Sequence, residues 1–329
     1  MLGYIARRLV SSVLVVVVTS MMVFLLFTYG PSDPAQALCS ADRCTEQRRA
    51  QIHQSLGLDR PITEQYATWA KGVFVGRDIS YGPGFSVECS APCLGISYIS
   101  KEEVTPLLGK RFPITLSIAL AGFLYLGFGV LVGVLAARKR GTSLDRGLVG
   151  STLVLSAIPY YLVALLAYLY LVLRWDLFPE TTYVPLTENP IRWAGALALP
   201  WLTLMVYNAV TYARFSRGSM IESLSEDYVR TARAKGLGES RVVVKHALRA
   251  AVVPVVTIFG IDFATLLAGT VFTEQIFGLN GIGRTALAAI TKGDLPIISA
   301  TVLIGAVFIV VANLTVDILY SFLDPRVRL

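Results

Sequence analysis

The sequence predicts an all-α, polytopic membrane protein with six transmembrane helices, both termini cytoplasmic, and one external segment of about 80 residues after the first helix. Three observations predict it: an apolar composition, long charge-free stretches, and basic residues gathered on one side of the proposed membrane. Of 329 residues, 54% are hydrophobic and only 16% are charged, with a mean hydropathy of +0.62. A soluble domain carries about a quarter of its residues as charged side chains, so this chain lacks the polar surface of an ordinary soluble enzyme. The net charge of +7 would suit a nucleic-acid binder, but the apolar content points to membrane instead. With His53 and His246 the only histidines, little remains for a histidine-ligated metal or a His-based triad.

The spans follow in order as 9–32, 112–137, 147–173, 193–213, 250–273 interrupted by Asp262, and 295–316, each at least 21 residues long. A helix needs about 20 apolar residues to cross the hydrocarbon core. Arg7, Arg8 and the later Ala35-Gln36-Ala37 resemble a secretory signal, but an h-region is only about 7–15 residues, so the first span reads as an uncleaved anchor. With the N-terminus inside, segments 1–8, 138–146, 214–249 and 322–329 together carry +10. The outside segments 33–111, 174–192 and 284–294 carry 0, −1 and +1. Asp262, Glu274 and Asp317 lie within or at the ends of helices and complete the balance. The charge is therefore a topology signal. The chain divides into an N-terminal helix (1–32), an extracytoplasmic segment (33–111) and a five-helix core (112–329) containing the cytoplasmic loop 214–249.

Outside, 47–57 reads as a short helix closed by Gly57, and a second helical stretch begins at Arg60-Pro61 and runs through Tyr66 and Trp69. Beyond Gly76 the composition turns to Gly, Ser and Pro, with Tyr81-Gly82-Pro83-Gly84 as loop. All four cysteines lie here, as Cys39-x4-Cys44 and Cys89-x3-Cys93. An oxidising exterior makes two disulfides the leading expectation, with pairing within or between the clusters left open. A four-thiolate metal or iron–sulfur site is the alternative.

The long inside loop is the most informative segment. Ser223 and Glu226 have capping-box spacing, Glu226 and Asp227 suit the first turn of a helix, and Lys235 and Gly236 suit its end. Tyr228, Ala232 and the stem of Lys235 fall on one face, and a second short helix starts near Ser240 and runs through Val244 and His246 into the fifth span. Such a helix can lie among lipid headgroups, with Arg230, Arg233 and Lys235 on phosphates, or dock into a groove on a partner protein; the amphipathic pattern serves both.

Thr231-Ala232-x3-Gly236, followed by His246, Leu248 and Pro254, resembles the coupling loop of ATP-binding-cassette importer permeases, and Asp227 to Leu237 looks most like the dipeptide/oligopeptide branch. Where the wider family opens this motif with Glu-Ala-Ala, this chain has Arg230-Thr231-Ala232. The resemblance extends over nearly the whole chain. It takes in Tyr4-Ile5-x-Arg7-Arg8-Leu9, Asp33-Pro34-Ala35, Leu56 to Pro61 with Gln65-Tyr66, and Arg111-x-Pro113-x-Thr115-Leu116. It continues through Glu274-x2-Phe277-Gly278-Leu279-Asn280-Gly281-Ile282-Gly283-Arg284, Asn313-Leu314-x-Val316-Asp317 and Asp324-Pro325-Arg326. Gly30-Pro31-Ser32 and the Cys-containing stretch near 85–97 depart from it, the latter resembling an insertion.

The resemblance implies a non-catalytic transport subunit of a bacterial inner membrane. It implies a homologous second permease, two cytoplasmic ATPases that bind ATP and Mg, and an external solute-binding (lipo)protein, with no cofactor in this chain and no nucleic acid partner. Asp227, Tyr228, Arg230, Thr231, Ala232, Lys235, Gly236 and His246 are the implied coupling residues. Relatives resembling this branch carry dipeptides, longer peptides, nickel chelates, glutathione or haem. No Walker-type phosphate loop is present, and Gly278 to Gly283 follows a span rather than a strand, so it is a turn and not a dinucleotide site. Gly129-x3-Gly133 fits close helix packing. Asn208, Asp262, Asn313 and Asp317 are polar groups within spans, candidates for the translocation path or for interhelical packing. Tyr160, Tyr161, Tyr168 and Tyr170 suit an interface belt or a partner-facing stripe. The rival class is an ion-coupled secondary transporter with Asp262 and Asp317 as relay acids; a membrane hydrolase lacks a nucleophile–base set.

Overall fold

The N-terminal helix α1 (Leu2–Tyr29) is apolar for most of its length, and a computed structural model of the chain places most of its side chains on the outside. The structure describes residues 2–29, 45–55, 57–80 and 86–323. Near its C-terminal end α1 meets α3 (Ile62–Val75), which follows the polar helix α2 (Glu46–Ser55). Ser20 Oγ pairs with Tyr66 Oη at 2.7 Å, and Phe24 packs against the rings of Tyr66 and Trp69. Both helices, α2 and α3, fall where the sequence pattern puts them.

The next stretch differs from the loop expected there. Strands β1 (Arg77–Ser80) and β2 (Ser86–Cys89) form an antiparallel pair with Arg77 opposite Cys89. Strands of four residues show too little alternation to register against a Gly- and Pro-rich background. The ribbon leads into a disulfide between Cys89 and Cys93, both buried, which is the local pairing. Cys39 and Cys44 lie outside the described residues.

The main bundle begins with α4 (Val104–Ala119) and α5 (Ala121–Arg138), continuous enough to form one apolar rod of 35 residues. Its start packs with Ala289, Ile297 and Ala300, and its end with Met220 and the loop that follows, so these clusters mark opposite ends of the molecule. Helix α8 (Pro190–Ser225) runs beside this rod for 36 residues, a length of about 54 Å. Pro190 occupies its first turn, where a missing N–H costs nothing, and the Asn189 side chain accepts from the backbone N–H groups of Ile191 and Arg192. The contact between α5 and α8 needs glycine: a Cβ on Gly133 would stand 2.5 Å from Ala213 O, and one on Gly129 would stand 2.5 Å from Tyr212 Cβ.

Among the described residues five helices are long and apolar enough to cross a membrane: Ala6–Leu25, Val104–Arg138, Pro190–Ser225, Glu239–Ala268 and Leu295–Val316. The third expected span, 147–173, is not one helix. It is α6 (Ser143–Ala157), a break, and α7 (Tyr160–Ala167) continuing as a π-helical stretch over Tyr168–Arg174. Pro159 explains the break: its ring disfavours helical geometry at the preceding residue, and Ile158 is extended at φ −100°, ψ 124°. The fifth expected span is shifted toward the N-terminus, ending before Thr273 and starting before Ala250. A three-residue helix α10 (Glu239–Arg241), a π-helical stretch (Val242–Ala247) and α11 (Leu248–Ala268) run continuously, then stop at Gly269. Short helices α12 (Val271–Ile276) and α13 (Ile282–Lys292) lead to α14 (Leu295–Leu323), which packs against α11 and α1.

Candidate functional site

At the end of α8 the chain turns through Glu226 into α9 (Asp227–Ala234). The helix begins at Asp227, with Glu226 extended at the cap position, while Ser223 is still inside α8, two residues before its end. The Ser223 hydroxyl therefore makes no capping box. It donates to Ala247 O at 2.8 Å and accepts from Tyr228 Oη at 2.8 Å, tying the end of α8 to the residue that precedes α11.

The buried face of α9 also differs from the expected one. Val229 and Ala232 point into a cluster with Met220, Val242, Val243, Ala247 and Ala251, whereas Tyr228 is 44% exposed and Lys235 is exposed. Burying a valine side chain stabilises by roughly 2 kcal/mol, so Val229 anchors the helix to the bundle. Asp227, Tyr228, Arg230, Thr231 and Lys235 are left on the surface.

Gly236 has φ +75°, the left-handed geometry of a helix C-terminus, and open space surrounds the position of a Cβ. The Leu237 N–H returns to Ala232 O and the Gly236 N–H to Arg233 O. Across this turn, Arg233 donates from Nε and Nη2 to the two carboxylate oxygens of Glu239 at 3.1 and 2.9 Å. His246 lies half-buried in the π-helical stretch, beside the fully buried Ala247 that accepts from Ser223.

The polar groups within the spans separate into different roles. Asn208 Nδ2 donates to Leu204 O in its own helix at 2.9 Å. Asp262 of α11 accepts from Tyr212 Oη of α8 at 2.6 Å. Asn313 is on an exposed face of α14, and Asp317 lies farther along that helix. Of the tyrosines, Tyr160 bonds Thr273 Oγ1 at 2.8 Å and Tyr168 packs on Phe277, while Tyr161 and Tyr170 face outward.

Three buried acids have roles that the sequence did not show. Asp145 accepts from Arg217 Nε, Arg217 Nη2 and the Gly141 N–H, which bolts the start of α6 to α8. Glu274, fully buried, accepts from Thr115 Oγ1 and from the Arg284 N–H in the first turn of α13. Asp294 accepts from Ser97 Oγ and the Tyr98 N–H, fastening the disulfide-bearing segment to the bundle. A glycine-rich turn at Gly278–Gly283 between Glu274 and α13 was the available signal for the first-turn bond, since orphan N–H groups at a helix start attract carboxylates. The partners of Asp145 and Asp294 are too distant in sequence to leave one. Among the described residues no group of three or more His, Cys, Asp or Glu side chains could hold a metal ion.

The architecture is that of a polytopic helical protein, a bundle of long apolar helices with a short amphipathic helix exposed at one end. The chain belongs to the family of binding-protein-dependent transport system inner membrane components: that family's model matches residues 129–329, and the N-terminal model of the same components matches 1–119. It is thus a non-catalytic component of a bacterial inner-membrane transport system. It is 35% identical to the di/tripeptide transport system permease protein DppB of Pseudomonas aeruginosa (strain UCBPP-PA14), over 100% of this chain and 99% of the relative. It is 33% identical to the dipeptide transport system permease protein DppB of Escherichia coli (strain K12), with the same two coverages.

Proposed function

We propose that this chain is one permease subunit of an ATP-driven importer of di- or oligopeptides, coupled to its ATPases through the 223–246 loop. The family match and the peptide permeases among its relatives support the class and the cargo. In this reading the α6–α7 pair makes a broken crossing that brings the number to six, with both termini and the 214–249 loop in the cytoplasm and 33–111 outside. The translocation path lies between this chain and a homologous second permease. Two ATPases bind ATP and Mg, and an external solute-binding protein delivers the peptide.

The two-faced character of α9 carries the coupling proposal. Val229 and Ala232 fasten it to its own bundle, so its exposed face can meet a partner. The apolar part of α8 ends at Ala213, and the 12 residues from Arg214 to Ser225 extend it by about 18 Å, which carries α9 clear of the hydrocarbon. In this account Tyr228, Arg230, Thr231 and Lys235 on its exposed face engage the ATPase groove and Ala232 seats the helix on its own bundle, while Asp227 starts the helix and Gly236 and His246 shape its return.

Gly236→Val tests the reading. A β-branched residue at φ +75° strains the turn by about 1–3 kcal/mol and tilts α9 without filling any occupied space. The expected result in reconstituted complexes is normal assembly, continued ATP hydrolysis and at least a severalfold loss of peptide uptake. Unchanged uptake would defeat the proposal.

A further inference from the structure

Helices α8 and α11 leave the two ends of the α9 loop, so any push on α9 enters both. They are braced to each other at two levels. Beside the loop, Ser223 Oγ donates to Ala247 O at 2.8 Å. Farther along, 11 residues up α8 and about 16 Å away, Tyr212 Oη donates to Asp262 Oδ2 at 2.6 Å. Around the far brace the helices share the cluster of Ala209, Tyr212, Val255 and Phe259, and nearer the loop Met220 packs with Ala247 and Ala251. The Tyr212 ring also packs against Tyr125 of α5 with centroids 5.0 Å apart, and Gly129 and Gly133 seat α5 directly on α8.

One brace would leave α8 and α11 free to scissor about it, whereas two braces separated along the rods make them turn together. From this geometry we infer that Asp262 is a positioning residue for transport: its hydrogen bond from Tyr212 locks α8 to α11, so that α5, α8 and α11 follow α9 as one body. The inference rests on the reading of the 223–246 loop as the coupling element. It gives the carboxylate in the fifth span a role distinct from a proton relay. A hydroxyl donating to a carboxylate in apolar surroundings makes a strong hydrogen bond, and removing the donor leaves the acid without that compensation.

The test uses proteoliposomes containing the complete importer and a labelled peptide that the wild-type complex imports, and it reads the ratio of peptide imported to ATP hydrolysed. Tyr212→Phe and Asp262→Ala should each assemble, hydrolyse ATP and lower the ratio by about tenfold, the scale of one hydrogen bond to a charged group. Asp262→Asn keeps an oxygen that accepts from Tyr212 and should recover most of the ratio. The double variant Tyr212→Phe/Asp262→Ala should be no worse than the poorer single one, because both remove the same bond. Tyr212→Phe loses one oxygen and keeps its ring in place, so it decides the matter if Asp262→Ala fails to assemble. A ratio unchanged in Tyr212→Phe, or Asp262→Asn as poor as Asp262→Ala, would overturn the inference. Gly236→Val run alongside separates the two ideas: if it leaves uptake intact, the coupling reading fails whatever Asp262 does.

Discussion

A single aspartate at the start of α6 shows how much one side chain can organise. Asp145 receives three hydrogen bonds, and those from Arg217 chiefly, with that from the Gly141 N–H, hold its carboxyl pKa at about 2. A folded-state value below the ordinary 3.8 means that the contribution is complete above the unfolded value and is lost as pH falls through about 2. The melting temperature of the detergent-solubilised protein should therefore exceed that of Asp145→Asn by a constant margin from pH 7 to about 5, and the margin should narrow toward pH 3. A margin that shrinks between pH 7 and pH 5 would assign the stabilisation to another group. At this scale the sequence was partly legible. Gly236 stood out because only a helix stop accounts for it after the amphipathic run. Ser223 misled because capping-box spacing also occurs inside a helix whose last turn continues past it, and tertiary partners then take the hydroxyl. Asp145 was invisible as a partner of Arg217 because 72 residues separate them.

Among the elements, long apolar helices were readable and their breaks were not. Composition alone marks 147–173 as one span, yet Pro159 divides it. Prolines also sit inside α4, α8 and α11 without dividing them, so a proline in an apolar run does not by itself mark where a helix breaks. The ribbon at 77–89 was hidden for a different reason, since four-residue strands take their order from pairing and from the nearby disulfide rather than from periodicity. Close helix packing at Gly129-x3-Gly133 was the clearest success, and the structure supplies the partner, α8, that the motif does not name. It predicts that Gly133→Leu destabilises the bundle by about 1–3 kcal/mol or more, as the added carbons meet Ala213 O, Ser216 Cβ and Arg217 N within 2.9 Å. Thermal unfolding of the solubilised protein checks this, and a melting temperature equal to wild type would contradict the close approach. The same substitution at Gly127, where an added Cβ would meet nothing of the neighbouring elements within 4 Å, is the control and should change little.

For the whole molecule, the charge pattern pointed to a topology and the family resemblance to a transport subunit before any contact was known. The proposed inside segments carry +10 while the outside ones are nearly neutral, and +4 of it lies on the α9 loop. What the pattern could not show was mechanical connection: the braces at Ser223, Tyr212–Asp262 and Asp145–Arg217 join residues distant in sequence. In the proposed mechanism those bonds turn a set of spans into a lever with α9 at its end. The central claim, that nucleotide hydrolysis and not an ion gradient moves this lever, is tested most directly by peptide uptake into vesicles carrying the complete importer. With ATP supplied and the proton gradient collapsed, uptake should persist, and withdrawing ATP should stop it. Uptake that survives the loss of ATP and disappears with the gradient would contradict the account.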